Sequence, residues 1–408
     1  MLYYDILARN SLMHYSTRIE DYLDAINGCD AFFVAEREHF KVINYISMGN
    51  DVFPDPSVAT DAETARKWWL RRQCRGLVFS HAGDVISLPI MKFFNVNERD
   101  ETQLFRIDLS RPHVILRKED GSMIRPVPIG DAYRLSSKMG ITDVALMAEV
   151  FVADNLNYDV FIRSVMTSGM CPQFEFCSRK QKIVVDYPID RLILLSIRSL
   201  ETGQNLPMDE VRQWAARYDV EVVCEYPGTI ENIESLVSET NALLDQEGWI
   251  IRFLDNHDAI KIKADDYRLK HRAKDSILRE NGVIELILNE KLDDVKPVLD
   301  PADRHCLEEF EAAFWHGVTD RAATWSLAFY DVKSRFGHDR KAFALEWAPG
   351  FEANQRSAIF RAWDATDFDW RQAVIDVIAK NIGTSTKVEE IRPLFGGVRW
   401  SYGKVGDK

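Results

Sequence analysis

Short runs in which apolar and polar residues alternate, broken by turn-forming residues, fill the first two-thirds of the chain, and longer stretches with apolar residues three and four apart fill the last third. Alternation turns successive side chains to opposite faces, as a half-buried strand requires, whereas the wider spacing draws one apolar stripe along a helix. Residues 40–45 (Phe-Lys-Val-Ile-Asn-Tyr) read as a strand ending at Tyr45. Residues 61–73 have helical spacing, and 74–79 and 84–88 read as strands paired across the turn at 80–83. An apolar run into Ile115-Leu116-Arg117-Lys118 reads as a strand with Lys118 at its end. Residues 133–138 read as another, so that a hairpin would bring Lys138 beside Lys118. Residues 141–168 are helical in pattern, and three β-rich runs at 173–176, 182–187 and 191–197 predict a meander.

Helices are predicted over 208–218 and 233–244, followed by a hairpin of 247–253 with 259–263. From about Asp275 the texture becomes helical, with amphipathic stretches at 306–315, 321–336 and 370–379 and an interruption at Pro349-Gly350. The pattern predicts an α+β protein: a mostly antiparallel-sheet domain over 1–275, an all-helical domain over 276–395, and a Gly- and Trp-containing tail, 396–408, that no periodicity places.

Composition narrows the class. A chain of 408 residues has room for two or three domains, and a net charge of −13 argues against a uniformly basic nucleic-acid binder while leaving room for a local phosphate site. Lys and Arg do concentrate locally, from Lys261 to Lys274, where they suit either an RNA backbone or a solvated helix face. The six cysteines form no C-x-x-C pair and have no histidine at zinc spacing, which predicts reduced thiols and no zinc site. The start, Met1-Leu2-Tyr3-Tyr4-Asp5, lacks the pattern of a leader, and no apolar run approaches the ~18 residues that span a bilayer. A soluble cytoplasmic protein with no membrane partner is the expectation.

The candidate chemistry centres on Lys118-Glu119-Asp120-Gly121, a lysine two residues ahead of Asp-Gly at a strand end. In order along the chain stand Cys-Arg-Gly at Arg75, Lys-Phe-Phe-Asn at Lys92, this motif, Ser-Lys at Lys138, Phe-Glu-Phe at Glu175, Glu-Gly-Trp at Glu247, and Lys-Ile-Lys at Lys261 and Lys263. The ordered set resembles the ATP-dependent phage RNA ligase 1 family, one of the covalent nucleotidyltransferases, and the resemblance extends to Asp339-Arg340-Lys341 and the helical last third. It implies a nucleotidyltransferase domain followed by a helical RNA-specificity domain. It also implies ATP and Mg²⁺ as cofactors, with Mn²⁺ able to substitute, and RNA with 5′-phosphate and 3′-hydroxyl ends as partner. For the family that RNA is nicked tRNA, repaired in the host cytoplasm during phage infection.

The residue types suit that chemistry. An amine must be neutral to attack the α-phosphate of ATP, yet only about one ordinary lysine in 2,500 is neutral at pH 7. A second cation roughly 4–5 Å away is worth about 3–4 kcal/mol at an effective dielectric near 20, so Lys261 or Lys263 could activate Lys118 while neutralising the phosphate under attack. Arg75, Lys92 and Lys138 are the expected triphosphate clamp. Glu247 is the expected metal ligand, and Glu175 resembles the family's ribose-contacting glutamate. Tyr45 and Glu119 are expected at the nucleotide, and Tyr267 matches a position tied to the later RNA steps. Asp293, with Asp294, resembles a metal-associated acidic pair, although an exposed helix start with a favourable dipole is the simpler and preferred reading. Taken alone, Lys-Ile-Lys reads as the wet face of an edge strand and the late aromatics as core.

Two rivals share parts of this reading. A DNA ligase or capping enzyme would use the same lysine but typically appends a small β-barrel, for which the last third lacks alternating strands. A non-catalytic RNA-binding protein on the same scaffold would not need Lys118, Glu247 and both hairpin lysines together.

Overall fold

In the computed structural model, which describes residues 14–230, 232–255 and 258–402, twelve strands gather into three four-stranded sheets. In chain order they are β1 (Phe32–Glu36), β2 (Lys41–Tyr45), β3 (Leu77–Phe79), β4 (Val85–Ser87), β5 (Phe94–Asn95), β6 (His113–Lys118), β7 (Ser122–Ile129), β8 (Ala132–Ser136), β9 (Met170–Cys177), β10 (Arg191–Ser199), β11 (Gly248–Phe253) and β12 (Ala259–Lys263). The sheets run β1-β2-β3-β4, β10-β9-β7-β8 and β5-β12-β11-β6. Every named pairing is antiparallel except β5 with β12. The chain divides into two compact units, Met1–Arg268 and Leu269–Lys408, and the division falls inside the helix Asp265–Ile277.

The third sheet positions the candidate chemistry, and simple alternation explains how. Along β12, Ile260 and Ile262 are buried while Ala259, Lys261 and Lys263 are half-buried. The isoleucines join Ile115, Trp249, Ile251 and Phe253 in a core with Ile233 and Leu236 of the helix Ile233–Asn241. One face of the sheet is thereby spent on packing, and period-two geometry leaves the lysines on the other. The second sheet packs against the helices Asp143–Asp154, Leu156–Thr167 and Met208–Tyr218 around Phe161, Phe174, Leu194 and Ile197.

Several expected elements differ. Residues 182–187 are not a strand, so the expected three-run meander is the pair β9–β10 alone. The backbone N–H groups of Val184 and Val185 donate to one carboxylate oxygen of Asp120, at 2.8 Å each, which takes the place of a ladder partner. Lys118 and Lys138 are not joined by a hairpin either. The partner of β8 is β7, which the pattern did not predict, while β6 pairs with β11 in a different sheet. Pro126 and Pro128 disguise β7. Both follow Ile124, its last residue paired with β9, and lie where the strand has one neighbour rather than two. Strands β1 and β5 were likewise not predicted, and the helical pattern of 141–168 resolves into two helices that meet at Asn155.

In the second unit the stretches at 306–315 and 321–336 belong to a single 36-residue helix, Pro301–Phe336. Asp300 caps it by accepting from Asp303 N at 3.0 Å, Pro301 occupies its first turn, and Gly337 follows its end. Leu307, Phe310, Phe314, Val318 and Trp325 bury one stripe against Val374, Ile378, Leu394 and Phe395. The part of the tail within the described residues also packs here. Trp400 Nε1 donates to the Ile277 carbonyl at 2.6 Å, its backbone N–H donates to Glu280 at 2.9 Å, and Tyr402 O–H donates to Asp303 at 3.1 Å. Residues 403–408 and the first thirteen, including the start read for a leader, lie outside the described residues. Among those described, no helix is long and apolar enough to cross a membrane.

Phe314 has no exposed surface and its ring meets Phe395 at 5.2 Å. Phe314→Ala should destabilise the second unit by about 3–5 kcal/mol, read as a lowered urea midpoint; a loss below ~1 kcal/mol would contradict this core assignment.

Candidate functional site

Register brings Lys118 to its partners. Gly248 of β11 stands opposite Lys118 on one side and Lys263 on the other, so the residue before it, Glu247, falls between two lysines. Lys118 Nζ lies 2.7 Å from Glu247 Oε2, and Lys263 Nζ lies 2.9 Å from Glu247 Oε1. The carboxylate is only 4% exposed. Desolvation pushes its pKa upward, but the two ammonium groups outweigh burial and hold Glu247 below the usual carboxylate range. Gly248 makes the approach possible: its φ is +139°, and a Cβ there would strike the carbonyl oxygen of Ile262.

A second group of cations adjoins this pair. Lys138 Nζ sits 3.7 Å from the centroid of the Tyr45 ring, and Lys92 Nζ lies 6.0 Å from the same ring and 4.9 Å from that of Phe94. Burial raises the Tyr45 hydroxyl pKa, and Arg75 is near enough to oppose the rise. Burial also pulls Lys92 down to about 8 against Glu98, with Arg75, Arg99 and Lys138 adding to the fall. Burial and Arg75 bring Lys138 to about 8. Burial, then Lys92 and Lys118, bring Lys261 to about 7. Glu98, which sequence reasoning missed, is the acid within this group. Burial works against its charge, but the Asn95 N–H at 2.7 Å, Lys261 and Lys92 keep its pKa low. Lys92 Nζ meanwhile donates to the Met48 sulfur at 3.2 Å. Amines crowded in a low-polarity cleft with one nearby acid form a receptor for a polyanion.

Glu175, in the middle of β9, connects to both groups. Desolvation brings its pKa up to about 7; Lys118 and Arg75 oppose the rise, whereas Glu247 and Asp120 add to it. The structure thus gathers Tyr45, Arg75, Lys92, Lys118, Lys138, Glu175, Glu247, Lys261 and Lys263 from eight separate chain segments.

The residues after Lys118 turn inward. Glu119 is 3% exposed, and its Oε2 accepts from the Tyr187 hydroxyl at 3.1 Å, while Oε1 lies 3.7 Å from Arg117 Nε. Asp120 receives the Val184 and Val185 amides on one oxygen and the Tyr267 hydroxyl, at 2.7 Å, on the other. Its own N–H donates to Tyr187 Oη at 2.9 Å. Tyr267 is therefore a buried strut, its ring 4.8 Å from Lys263 Nζ. Gly121 completes the turn where a Cβ would collide with the Phe176 carbonyl oxygen. Asp120 and Tyr187 were not singled out from sequence. The Asp-Gly pair was visible in the motif, whereas Tyr187 was hidden in the run misread as a strand.

Asp293 belongs to the second unit, on the short helix Leu292–Val295, with its side chain 96% exposed and 3.9 Å from Lys296 Nζ. Among the described residues no three His, Cys, Asp or Glu gather as a metal cluster. The cysteines are free thiols.

A family model described as RNA ligase matches residues 73–278, which span every motif from Arg75 to Tyr267. A Thermovibrio ammonificans protein described as a candidate RNA ligase is 26% identical over 285 residues, 68% of this chain and 70% of the relative. Among solved structures, an archaeal ATP-dependent RNA ligase is similar at a TM-score of 0.40 and 12% identity, over 90% of this chain and 84% of that one. A mutant of the Naegleria gruberi RNA ligase with ATP and Mn is similar at a TM-score of 0.32 and 15% identity, over 40% of this chain and 52% of that one, about half its length. The family match places the chain. With half of its length, and all of the gathered cationic cleft, inside that match, the chain belongs to the RNA ligases of the phage RNA ligase 1 type.

Proposed function

We propose that this RNA ligase consumes ATP through a covalent AMP on Lys118 and seals RNA 5′-phosphate to 3′-hydroxyl ends. The observation that carries the reading is the ion-paired triad of Lys118, Glu247 and Lys263, set beside the desolvated amines of Lys92, Lys138 and Lys261. In the first step the Lys118 nitrogen bonds to the α-phosphorus, the bond from that phosphorus to the bridging oxygen breaks, pyrophosphate leaves, and the amine sheds its proton. In the second an oxygen of the RNA 5′-phosphate displaces Lys118, which takes a proton back. In the third the 3′-hydroxyl oxygen attacks that 5′-phosphorus, loses its proton, and releases AMP.

The chain's own residues do this mainly by position and charge. Glu247 holds the Lys118 amine at the end of β6, and Lys263 shares the carboxylate so that neither lysine can swing away. Arg75, Lys92, Lys138 and Lys261 receive the triphosphate and spread the charge of the departing pyrophosphate. Glu175 accepts from a ribose hydroxyl when ionised. Both oxygens of Glu247 are taken by Lys118 and Lys263, so a divalent cation, Mg²⁺ or Mn²⁺, would bind this carboxylate in exchange for one of those amines, and when bound would neutralise triphosphate charge. The substrate we propose is tRNA nicked in its anticodon loop, as in phage tRNA repair, with the helical second unit reading RNA shape.

Wild-type protein incubated with α-labelled ATP and Mg²⁺ should carry an acid-stable label through denaturing electrophoresis, and Lys118→Ala should lose it; equal labelling of the variant would overturn the assignment. The clamp makes a second test. At pH 8 Lys92, Lys138 and Lys261, with pKa values of about 8, 8 and 7, are partly or largely neutral, and a bound triphosphate favours their charged forms. ATP binding to Lys118→Ala, which cannot react, should therefore take up protons at pH 8 and fewer at pH 6, where the three are already charged. Calorimetry in buffers of different ionisation enthalpy reads this, and buffer-independent heat at pH 8 would exclude it. Third, a chain ending near Asn281, if folded, should keep adenylylation but lose its preference for a nicked tRNA loop over an unstructured oligonucleotide. An unchanged preference would remove the second unit from substrate selection.

A further inference from the structure

Beside the nucleophile's sheet lies a cavity of about 120 Å³ that neither the adenylylation chemistry nor the clamp explains. Arg252, Ile250 and Leu116 line it on the face of β11 and β6 that also carries Lys118 and Lys261, since Ile250 pairs with both Leu116 and Lys261. Phe94 and Ile260 add apolar wall, and Lys92 reaches the cavity from the clamp side. Seven Lys or Arg line it against two acids. Asp255 and Glu119, outside the lining, pair with Arg111 and Arg117, so the charge without a partner is confined to the deeper arginines, where it is costly unless an anion enters.

The buried arginines show where the unsatisfied charge lies. Arg198 is saturated by neutral partners: Nε and one terminal nitrogen donate to the Gly203 carbonyl at 3.0 and 2.6 Å, and the other terminal nitrogen donates to the Pro89 carbonyl and to Gln73. Arg252 is not. It is 8% exposed, yet its hydrogen bonds are a 3.5 Å contact with the Leu195 carbonyl and a 3.7 Å contact with the Met208 sulfur, and no carboxylate pairs with it among the described residues. Burial and the neighbouring Arg198 bring its pKa down to about 10, so it remains charged at neutral pH. Arg72, 5% exposed, binds Glu101 through a terminal nitrogen at 2.7 and 2.8 Å but leaves its Nε without a partner. Glu101 and the Pro54 carbonyl, the latter at 3.2 Å, share that one terminal nitrogen, so Nε is the buried part of the guanidinium left without an acceptor.

We infer that this cavity is an oxyanion site, separate from the triphosphate clamp, that takes a small inorganic phosphate between Arg252 and Arg72. Its volume lies below the roughly 300 Å³ at which pockets for drug-sized molecules begin, which excludes a nucleotide and admits orthophosphate or pyrophosphate. Guanidinium groups match the paired oxygens of such an ion. Pyrophosphate would come from the ligase's own adenylylation, orthophosphate from solution. The site goes beyond the ligase reading and stands independently of it.

The test loads Lys118→Ala protein with saturating ATP, which fills the clamp without reaction, and then titrates pyrophosphate in one arm and orthophosphate in the other by equilibrium dialysis. One remaining site for either anion is expected, and the arm that binds identifies the source. Adding Arg252→Met should weaken it at least tenfold, and Arg252→Lys less. Ala259→Leu, at the position paired with Arg252, fills the cavity while keeping every arginine in the chain; it should also abolish the site and guards against a misfolded Arg252 variant. No anion bound to ATP-loaded protein, or binding unaffected by both Arg252→Met and Ala259→Leu, overturns the inference. A Lys118→Ala protein that fails to bind ATP would instead count against the proposed function, and titrating it unloaded still tests the cavity.

Discussion

Glu247 divides one ionised carboxylate between Lys118 and Lys263, and the first unit's third sheet is arranged so that this can happen away from bulk water. Two ammonium groups on the strands that flank β11 would repel each other; an anion between them turns the repulsion into a bridge across β6, β11 and β12. Burying three charges together is tolerable because both carboxylate oxygens are engaged. The requirement reaches outward: β11 must lie between β6 and β12, Gly248 must stand where no side chain fits, and the isoleucines of β12 must fill the opposite face.

Lys118-Glu119-Asp120-Gly121 extends this logic across the turn. Lys118 faces the cleft, while Glu119 and Asp120 face the interior and tie down Tyr187, Tyr267 and the 184–185 backbone. The same four residues therefore present the nucleophile and fix the peptide that carries it. A carboxylate that accepts two amides and a phenol leaves the turn little freedom, so the amine is held near its place before any substrate arrives. Around it, burial makes the clamp amines more costly to charge, and a triphosphate relieves that cost on binding.

Reading the sequence went furthest where a local pattern had a local cause. Alternation found β2, β6 and both strands of the β11–β12 hairpin, and helical spacing found the amphipathic stretches of the last third. It failed where the cause was distant. The run 182–187 has strand composition but spends its amides on Asp120, more than sixty residues earlier. The proline-bearing β7 looked unlike a strand because the missing partner that tolerates its prolines is invisible in sequence. Two amphipathic stretches were read apart although one uninterrupted helix carries both.

By itself the sequence determined the ordered motifs, the α+β class with a helical last third, and the identity of most ionisable groups in the cleft, because residue type and short-range spacing are properties of the chain alone. Tertiary structure alone decided that Glu247 lies between Lys118 and Lys263, that Tyr267 and Tyr187 brace Asp120 and Glu119, and that Arg252 and Arg72 share a cavity with charge to spare. Those facts depend on which strands become neighbours and in what register. Strand pairing between residues more than a hundred positions apart is settled by the packing of whole faces, and no local stretch of sequence records it.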